Sequence, residues 1–199
     1  MTAAATVPAA VLRPTDPKAH FAGQALTVLN RRLNLPLADA VAAKVSRLGE
    51  IEAHNLAMQG DVLVIQGIEG ISSMGAISAS IGKRQGELGA IVDGAVRDVD
   101  HQREVGYPVW SRGASPVTGK WRIETTAINV PVTICGITVS PGDLVVADEV
   151  GVCFVPCARA AEVLAVVKTL VRYEDERMAQ INAGASVVDG ANAKRPASK

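Results

Sequence analysis

Along the chain, short apolar runs alternate with stretches in which apolar residues recur every three or four positions, and glycine or proline marks most of the boundaries. Gly23 to Leu29 reads as the first strand of the core, β-branched and apolar after a glycine. From Leu37 to Leu48 the spacing of Leu37, Val41, Val45 and Leu48 predicts an amphipathic helix closed by Gly49. A second short helical stretch, Ile51 to Met58, leads to Val62-Leu63-Val64-Ile65, an apolar run of strand length expected to be buried on both faces. Gly67 to Gly75 then reads as a Gly- and Ser-rich crossover. It opens a helix over Met74 to Gln85 for which Ser72 or Ser73 is the expected cap. Ala90-Ile91-Val92 predicts another buried strand, with Asp93-Gly94 as a turn and Arg97-Asp98 just beyond the strand end.

The second half follows the same logic. Val99 to Val105 predicts a short polar helix ending at Gly106, and Pro108 to Trp110 a strand. Arg112 to Thr126 reads as a long loop whose Lys120-Trp121-Arg122 group would contact either a substrate tail or a neighbouring subunit. Four short strands follow, Val130 to Ile134, Ile137 to Val139, Leu144 to Ala147 and Val152 to Val155, separated by turn residues as in an antiparallel, barrel-like half. Asp148-Glu149 lies at one of those turns, where either a tight turn or a metal would explain two adjacent carboxylates. Ala158 to Ile181 is a long helix with an apolar stripe of Val163, Leu164, Val167, Leu170 and Val171, turning charged beyond Tyr173. Residues 1–22 read as an extended entry segment, 23–185 as one domain, and 186–199 as a polar tail expected to be disordered.

Composition narrows the function classes. The 199 residues are 48% apolar and 20% charged, enough for one domain with a substantial core, and 20 basic side chains balance 20 acidic ones. Without a basic excess or face, and with aromatics at only 3%, a nucleic-acid partner is not expected. No apolar run is long enough to cross a membrane and the start lacks a secretory pattern, so a cytoplasmic location is expected. Cys135, Cys153 and Cys157 read as reduced core thiols, because zinc needs three or four converging ligands and none gather here. His20, His54 and His101 are scattered, two of them in polar, loop-like or helix-end surroundings.

The candidate chemistry sits at Arg97-Asp98. An arginine offers a planar fork of donors for a carboxylate or keto oxygen, and an aspartate offers hard oxygens for a divalent cation. Taken alone, the pair reads first as a surface ion pair at a turn. Likewise the start of the Met74–Gln85 helix is either an ordinary helix start or an anion cradle made by free backbone amides.

The blocks Gly60-Asp61-Val62-Leu63-Val64, Met74 to Ala79, Gly89 to Asp98, Pro141 to Asp148 and Gly151 to Pro156, in that order, resemble the family of regulator of ribonuclease activity A and the class II pyruvate aldolases. Those aldolases cleave 4-hydroxy-4-methyl-2-oxoglutarate and 4-carboxy-4-hydroxy-2-oxoadipate. The resemblance runs from about Leu12 to about Gly184. It implies an α/β fold of the compact β/β/α swivelling-domain type, assembly into homotrimers or paired trimers, and a magnesium or manganese site between subunits. It also implies lyase activity, as a pyruvate aldolase or an oxaloacetate decarboxylase, on a small 2-oxo acid substrate. By this resemblance Arg97 and Asp98 are the catalytic pair and Asp98 holds the metal. Gly75 and the amides of Ile77 and Ser78, with Arg97, bind the pyruvate carboxylate. Glu174 or Glu176 is the expected glutamate that reaches over from a neighbouring subunit to order metal-bound water. One departure stands out: the family's aldolase signature places an acid twenty-one positions before the arginine, and here that position is Ala76. The alternative that the resemblance carries is a non-catalytic, protein-binding regulator of a ribonuclease complex.

Overall fold

The computed structural model describes residues 4–44 and 46–186, and the chain divides into two compact units, Met1–Cys157 and Ala158–Lys199. In the first unit the strands are β1 (Ala5–Pro8), β2 (Arg13–Pro14), β3 (Phe21–Arg32), β4 (Asp61–Gln66), β5 (Ser72–Met74), β6 (Gly89–Val96) and β7 (Val109–Ala114). They continue with β8 (Ile123–Ile128), β9 (Val132–Ile134), β10 (Ile137–Val139), β11 (Leu144–Ala147) and β12 (Gly151–Val155). The helices of this unit are α1 (Leu37–Ala42), α2 (Glu50–Ala53), α3 (Ala76–Gln85) and α4 (Val99–Glu104). The second unit carries α5 (Ala160–Asn182).

The centre of the unit is a run of parallel strands, β3-β4-β6-β7, joined by helical crossovers, with β5 also parallel to β6. Antiparallel pairing of β3 with β11, β11 with β12 and β12 with β1 extends the sheet on one side, while β9 and β10 form a separate hairpin. The alternation of side chains along a strand explains how β4 organises the core. Val62 and Val64 enter one cluster with Ile91, Trp110 and Phe154, and Leu63 and Ile65 enter the other with Ala90, Val92 and Met74. All four β4 residues are fully buried, as expected for a central parallel strand. The first cluster is closed by Trp110, whose ring meets Phe21 edge-to-face at 4.9 Å and whose indole N–H donates to the Asp148 carbonyl at 2.7 Å.

Several expectations need correction. Asp93-Gly94 is not a turn: β6 runs on to Val96 through a register shift between Val92 and Ala95, and Asp93 accepts hydrogen bonds from the Arg112 guanidinium and from the Cys135 amide (2.7 Å). Gly94 is there because a Cβ would lie 3.1 Å from the Gly67 Cα and 3.0 Å from the Ile68 nitrogen. A dipeptide that signals a turn serves here as a bulge where two backbones meet. The helix expected to reach Leu48 stops at Ala42, with Leu37 and Val41 exposed; Val45 lies outside the described residues. The second stretch, expected over Ile51 to Met58, contracts to Glu50–Ala53. Much of the expected Arg112–Thr126 loop is strand, in β7 and β8. The N-terminal segment is extended, and it adds β1 and β2 to the sheet. Of the expected tail, residues 187–199 lie outside the described residues.

The four short strands and the long helix fall close to their expected places. On α5 three residues of the expected stripe, Leu164, Val167 and Val171, are exposed, and Val163 and Leu170 are half-buried. No helix among the described residues is long and apolar enough to cross a membrane.

Candidate active site

Arg97 and Asp98 emerge at the carboxyl end of β6, the edge of a parallel sheet where α/β folds hold ligands. The neighbouring parallel strand β5 ends at Met74 on the same edge, and the Arg97 amide ties the two together by donating to the Met74 carbonyl at 3.1 Å. Gly75 then opens α3. Its missing side chain is essential to the arrangement: a Cβ would lie 2.5 Å from Asp98 Oδ2 and 2.9 Å from both Cγ and Nε of Arg97. The strand end, the helix start and the Arg-Asp turn therefore occupy one small volume.

Asp98 adopts the left-handed conformation, φ 55° and ψ 45°, which aspartate tolerates better than most side-chain-bearing residues. That turn lets β6 pass into α4 and swings the carboxylate back to α3, where Oδ2 accepts the Ala76 amide at 2.9 Å. The expected serine cap is thus replaced by an aspartate from across the crevice. Ser72 Oγ instead donates to the Met74 carbonyl, and neither Ser72 nor Ser73 bonds the helix start. Helix geometry leaves the amides of Ile77 and Ser78 without intrahelical acceptors. Arg97 Nε lies 3.5 Å from Asp98 Oδ2, with the two side chains 35% and 42% exposed. The Arg97 carbonyl is held by Gln102 Nε2 at 2.8 Å, which fixes the turn. The structure thus brings together Gly75, Ala76, Arg97 and Asp98 and the α3 amides. The Ile77 side chain points to solvent at 68% exposure, and a cleft of about 440 Å³ along this face is lined by Ala76, Ile77, Ser80, Ile81, Arg84 and His101.

Beneath the helix start lies a polar network that sequence reading did not find. His54, read in the sequence only as one of three scattered histidines, is fully buried, with Nδ1 2.6 Å from Glu87 Oε1 and Nε2 2.9 Å from Ser78 Oγ. Tyr107 donates its hydroxyl to Glu87 Oε2 at 2.5 Å, and burial together with that carboxylate pushes the phenol well above its ordinary value. The order serine, histidine, glutamate resembles a nucleophilic triad, but Ser78 is only 3% exposed, and the group ties α2, α3 and β6 together.

Glu50 was also missed. It begins α2, is 4% exposed, and its Oε2 has no hydrogen-bond partner. Burial pushes its carboxyl up to about 7, against the opposing pull of its own backbone amide, His54 and Arg97. The available signal was an acid placed directly after Gly49, which caps the start of α2, in a stretch otherwise read only for periodicity.

The other candidates are placed as follows. Glu174 and Glu176 lie on the exposed surface of α5, in the second unit. His101 Nε2 pairs with Ser80 Oγ at 2.8 Å. Asp148 serves its turn, Oδ1 accepting the amides of Val150 and Gly151. Cys135 and Cys153 are half-buried free thiols, and Cys157, expected in the core, is exposed. A separate cavity of about 780 Å³, against Pro17–Ala22 and Val146–Val150, contains none of the Arg97 cluster.

Among the described residues no group of three or more His, Cys, Asp or Glu side chains is arranged to hold a metal. The crevice offers one half-exposed carboxylate, Asp98, with Oδ2 already engaged by Ala76. That set fits a magnesium ion, which keeps several waters and takes one or two carboxylates, better than a metal that needs a protein cage.

A parallel β-α-β core with an antiparallel flank, curled into a half-barrel and carrying an Arg-Asp pair against a helix start, defines a mixed α/β domain with a ligand crevice at its strand ends. The chain belongs to the RraA-like family: the family model described as Aldolase/RraA matches residues 2–154. Protein DlpA of Legionella pneumophila is 38% identical over 109 residues, 54% of this chain and 17% of that protein. A protein of Deinococcus radiodurans provisionally named 4-hydroxy-4-methyl-2-oxoglutarate aldolase is 31% identical over 73% of this chain and 92% of its own length. Its counterpart by name in Halalkalibacterium halodurans is 31% identical over 65% of this chain and 62% of that protein. The chain thus spans less than two thirds of the length of several curated relatives it matches. Among solved structures, Streptomyces coelicolor RraAS2, described as an unusual member of the RNase ES inhibitor RraA family, superposes with a TM-score of 0.68 at 29% identity, covering 82% of this chain and 79% of that one.

Proposed function

We propose that this chain is a divalent-metal-dependent lyase that breaks a carbon–carbon bond of a small 2-oxo acid and releases pyruvate. The observation that supports it is the convergence of the Arg97 fork, the Asp98 carboxylate and the α3 amides around Gly75, in a family whose relatives carry aldolase names. The amides of Ile77 and Ser78 would take the substrate carboxylate at the positive end of α3. Arg97 would hold the 2-keto oxygen and stabilise the negative charge that develops there as the bond breaks. Asp98 would hold magnesium or manganese through its carboxylate. When bound, the ion supplies Lewis-acid polarisation of the 2-oxo acid.

Ala76 bears on which substrate is cleaved. Retro-aldol cleavage must remove a hydroxyl proton and decarboxylation need not, so a site lacking an acid at this position favours oxaloacetate over a 4-hydroxy-2-oxo acid. The test is pyruvate release from oxaloacetate and from 4-hydroxy-4-methyl-2-oxoglutarate, with magnesium or manganese and with a chelator. Arg97→Ala and Asp98→Ala should each lower metal-dependent release by roughly 10²-fold or more. Release that survives both substitutions would refute the assignment.

A second reading, a regulator that binds a ribonuclease complex, draws support from Ala76 and from the likeness to RraAS2. It predicts no pyruvate release with any metal and a stable complex with a ribonuclease or its helicase partner in a pull-down. The lyase reading also carries a homotrimer or hexamer, in which Glu174 or Glu176 of one copy would serve the site of the next. Sedimentation would report the assembly, and Glu174→Gln and Glu176→Gln would report the contribution.

A further inference from the structure

We propose that His54 is a positioning residue for this site: through the Ser78 hydroxyl it sets the rotation of α3 about its axis, and with it the aim of the Ile77 and Ser78 amides. The proposal rests on the lyase reading above and adds to it the side chain that holds the carboxylate cradle in place.

The buried residues of α3 are Ser78, Ala79 and Gly82. None is a large apolar knob, so interlocking side chains do little to fix how the helix is turned. Gly82 lets α3 sit directly on the polar network, since a Cβ there would lie 2.6 Å from Glu87 Oε2 and 2.7 Å from the Tyr107 ring. The rotation is therefore set by directional polar contacts. His54 makes two of them, at residues seven apart and so on the same face: Nε2 lies 2.9 Å from Ser78 Oγ, and the carbonyl accepts Gln85 Nε2 at 3.0 Å. The ring itself is anchored to the sheet. Its Nδ1 lies 2.6 Å from Glu87 Oε1, the other oxygen of Glu87 takes the Tyr107 hydroxyl, and that hydroxyl reaches the Gly89 carbonyl of β6 at 3.2 Å. The remaining contacts of α3 run to α4 and its two ends: the Ala76 amide to Asp98, Ser80 to His101 and Lys83 to the Gly106 carbonyl. Those are at least partly open to solvent. The Ser78 bond is sealed from it, and a hydrogen bond without competing water holds more strongly.

Ser78 belongs to both the network and the crevice. The first intrahelical bond of α3 runs from the Ala79 amide to the Gly75 carbonyl, and the Ala76 amide is taken by Asp98 Oδ2. The amides of Ile77 and Ser78 lie between these two anchors. Turning the helix would swing both free donors together, and hydrogen bonds weaken steeply as the donor angle closes. The substrate carboxylate carries the same charge before and during cleavage of the carbon–carbon bond. A misaimed cradle therefore weakens ground state and transition state alike, so KM rises and kcat holds. A merely structural network would act the other way, lowering kcat through fewer folded molecules and leaving KM unchanged.

The test measures KM and kcat for oxaloacetate cleavage, with magnesium present, in the native chain, Ser78→Ala, His54→Leu and the double variant. Ser78→Ala removes the hydroxyl and keeps the amide. It should raise KM roughly 10-fold or more with kcat within about twofold. His54→Leu should raise KM at least as much, and the double variant should match His54→Leu, because both substitutions break one contact. KM reports only the molecules that fold, so partial unfolding of a variant does not mimic this result. A native KM in Ser78→Ala overturns the proposal and leaves the lyase reading standing. A KM increase in the double variant equal to the product of the two single increases also overturns it, since Ser78 and His54 would then act separately. A native chain that releases no pyruvate refutes the lyase reading and this proposal with it.

Discussion

The cost of keeping Glu50 buried is measurable apart from any activity. Replacing it by glutamine removes the ionisable group and keeps the shape. The carboxyl is raised from 4.5 to about 7 in the folded chain, and at about 1.4 kcal/mol per tenfold change in proton affinity this amounts to roughly 3 kcal/mol. The sign follows from which state binds the proton. Below the unfolded value both states are protonated and the site costs nothing. Between 4.5 and about 7 the unfolded chain has released a proton that the folded chain still holds, so stability falls as pH rises, and above about 7 the loss is complete. Urea unfolding of both proteins at about pH 4.5, 6 and 8 should therefore give equal stabilities at the acid end. At the alkaline end Glu50→Gln should be more stable by up to roughly 3 kcal/mol, or about 6–12 °C in Tm. A carboxylate held as an ion pair by Arg97 would give the opposite sign, so a Glu50→Gln protein less stable than the native one at pH 8 refutes the reasoning.

Three further outcomes are expected. Gly75→Ala places a Cβ against the flexible ends of Arg97 and Asp98 without straining the backbone. Unfolding should change by no more than about 1 kcal/mol, while pyruvate release should fall roughly 10²-fold as the pair is displaced. An unchanged rate would show that the pair's position is not critical. Ala76→Asp should raise aldol cleavage more than oxaloacetate decarboxylation, and parallel changes in the two assays would count against the role given to this position. Tyr107→Phe removes the donor to Glu87 Oε2 from a sealed carboxylate and should cost about 1–3 kcal/mol in denaturant unfolding; a loss below about 0.5 kcal/mol would mean that water or a rearranged Ser78 takes its place.

The parts of the fold legible in the sequence were those set by local rules. The β4 run, the α3 helix with its left-handed Gly86 at the end, and the glycine-separated strands of the second half each follow from periodicity and turn chemistry. What failed depended on distant partners. Asp93-Gly94 became part of a strand because Arg112 and Cys135 reach it from elsewhere and Gly67 crosses it. The Leu37–Leu48 periodicity did not hold a helix together because the region around Arg47 instead bridges to Glu124. In the site, Arg97, Asp98 and Gly75 were legible through the family pattern. His54, Glu50 and Glu87 were not, because nothing in their neighbours' sequence tells a buried charge from a solvated one.

That difference bears on what the two buried glutamates do. Glu87 is bonded by His54 and Tyr107, an arrangement that fixes α2 and α3 in place. Glu50, at the start of α2, has only backbone amides as hydrogen-bond donors to its carboxyl and leaves Oε2 without a partner. Hydrogen-bond donors to Glu50 would stabilise its ionised form and bring its proton affinity down toward that of an ordinary carboxylate. The gain in stability expected at alkaline pH on replacing Glu50 by glutamine measures what the uncompensated carboxyl costs the fold.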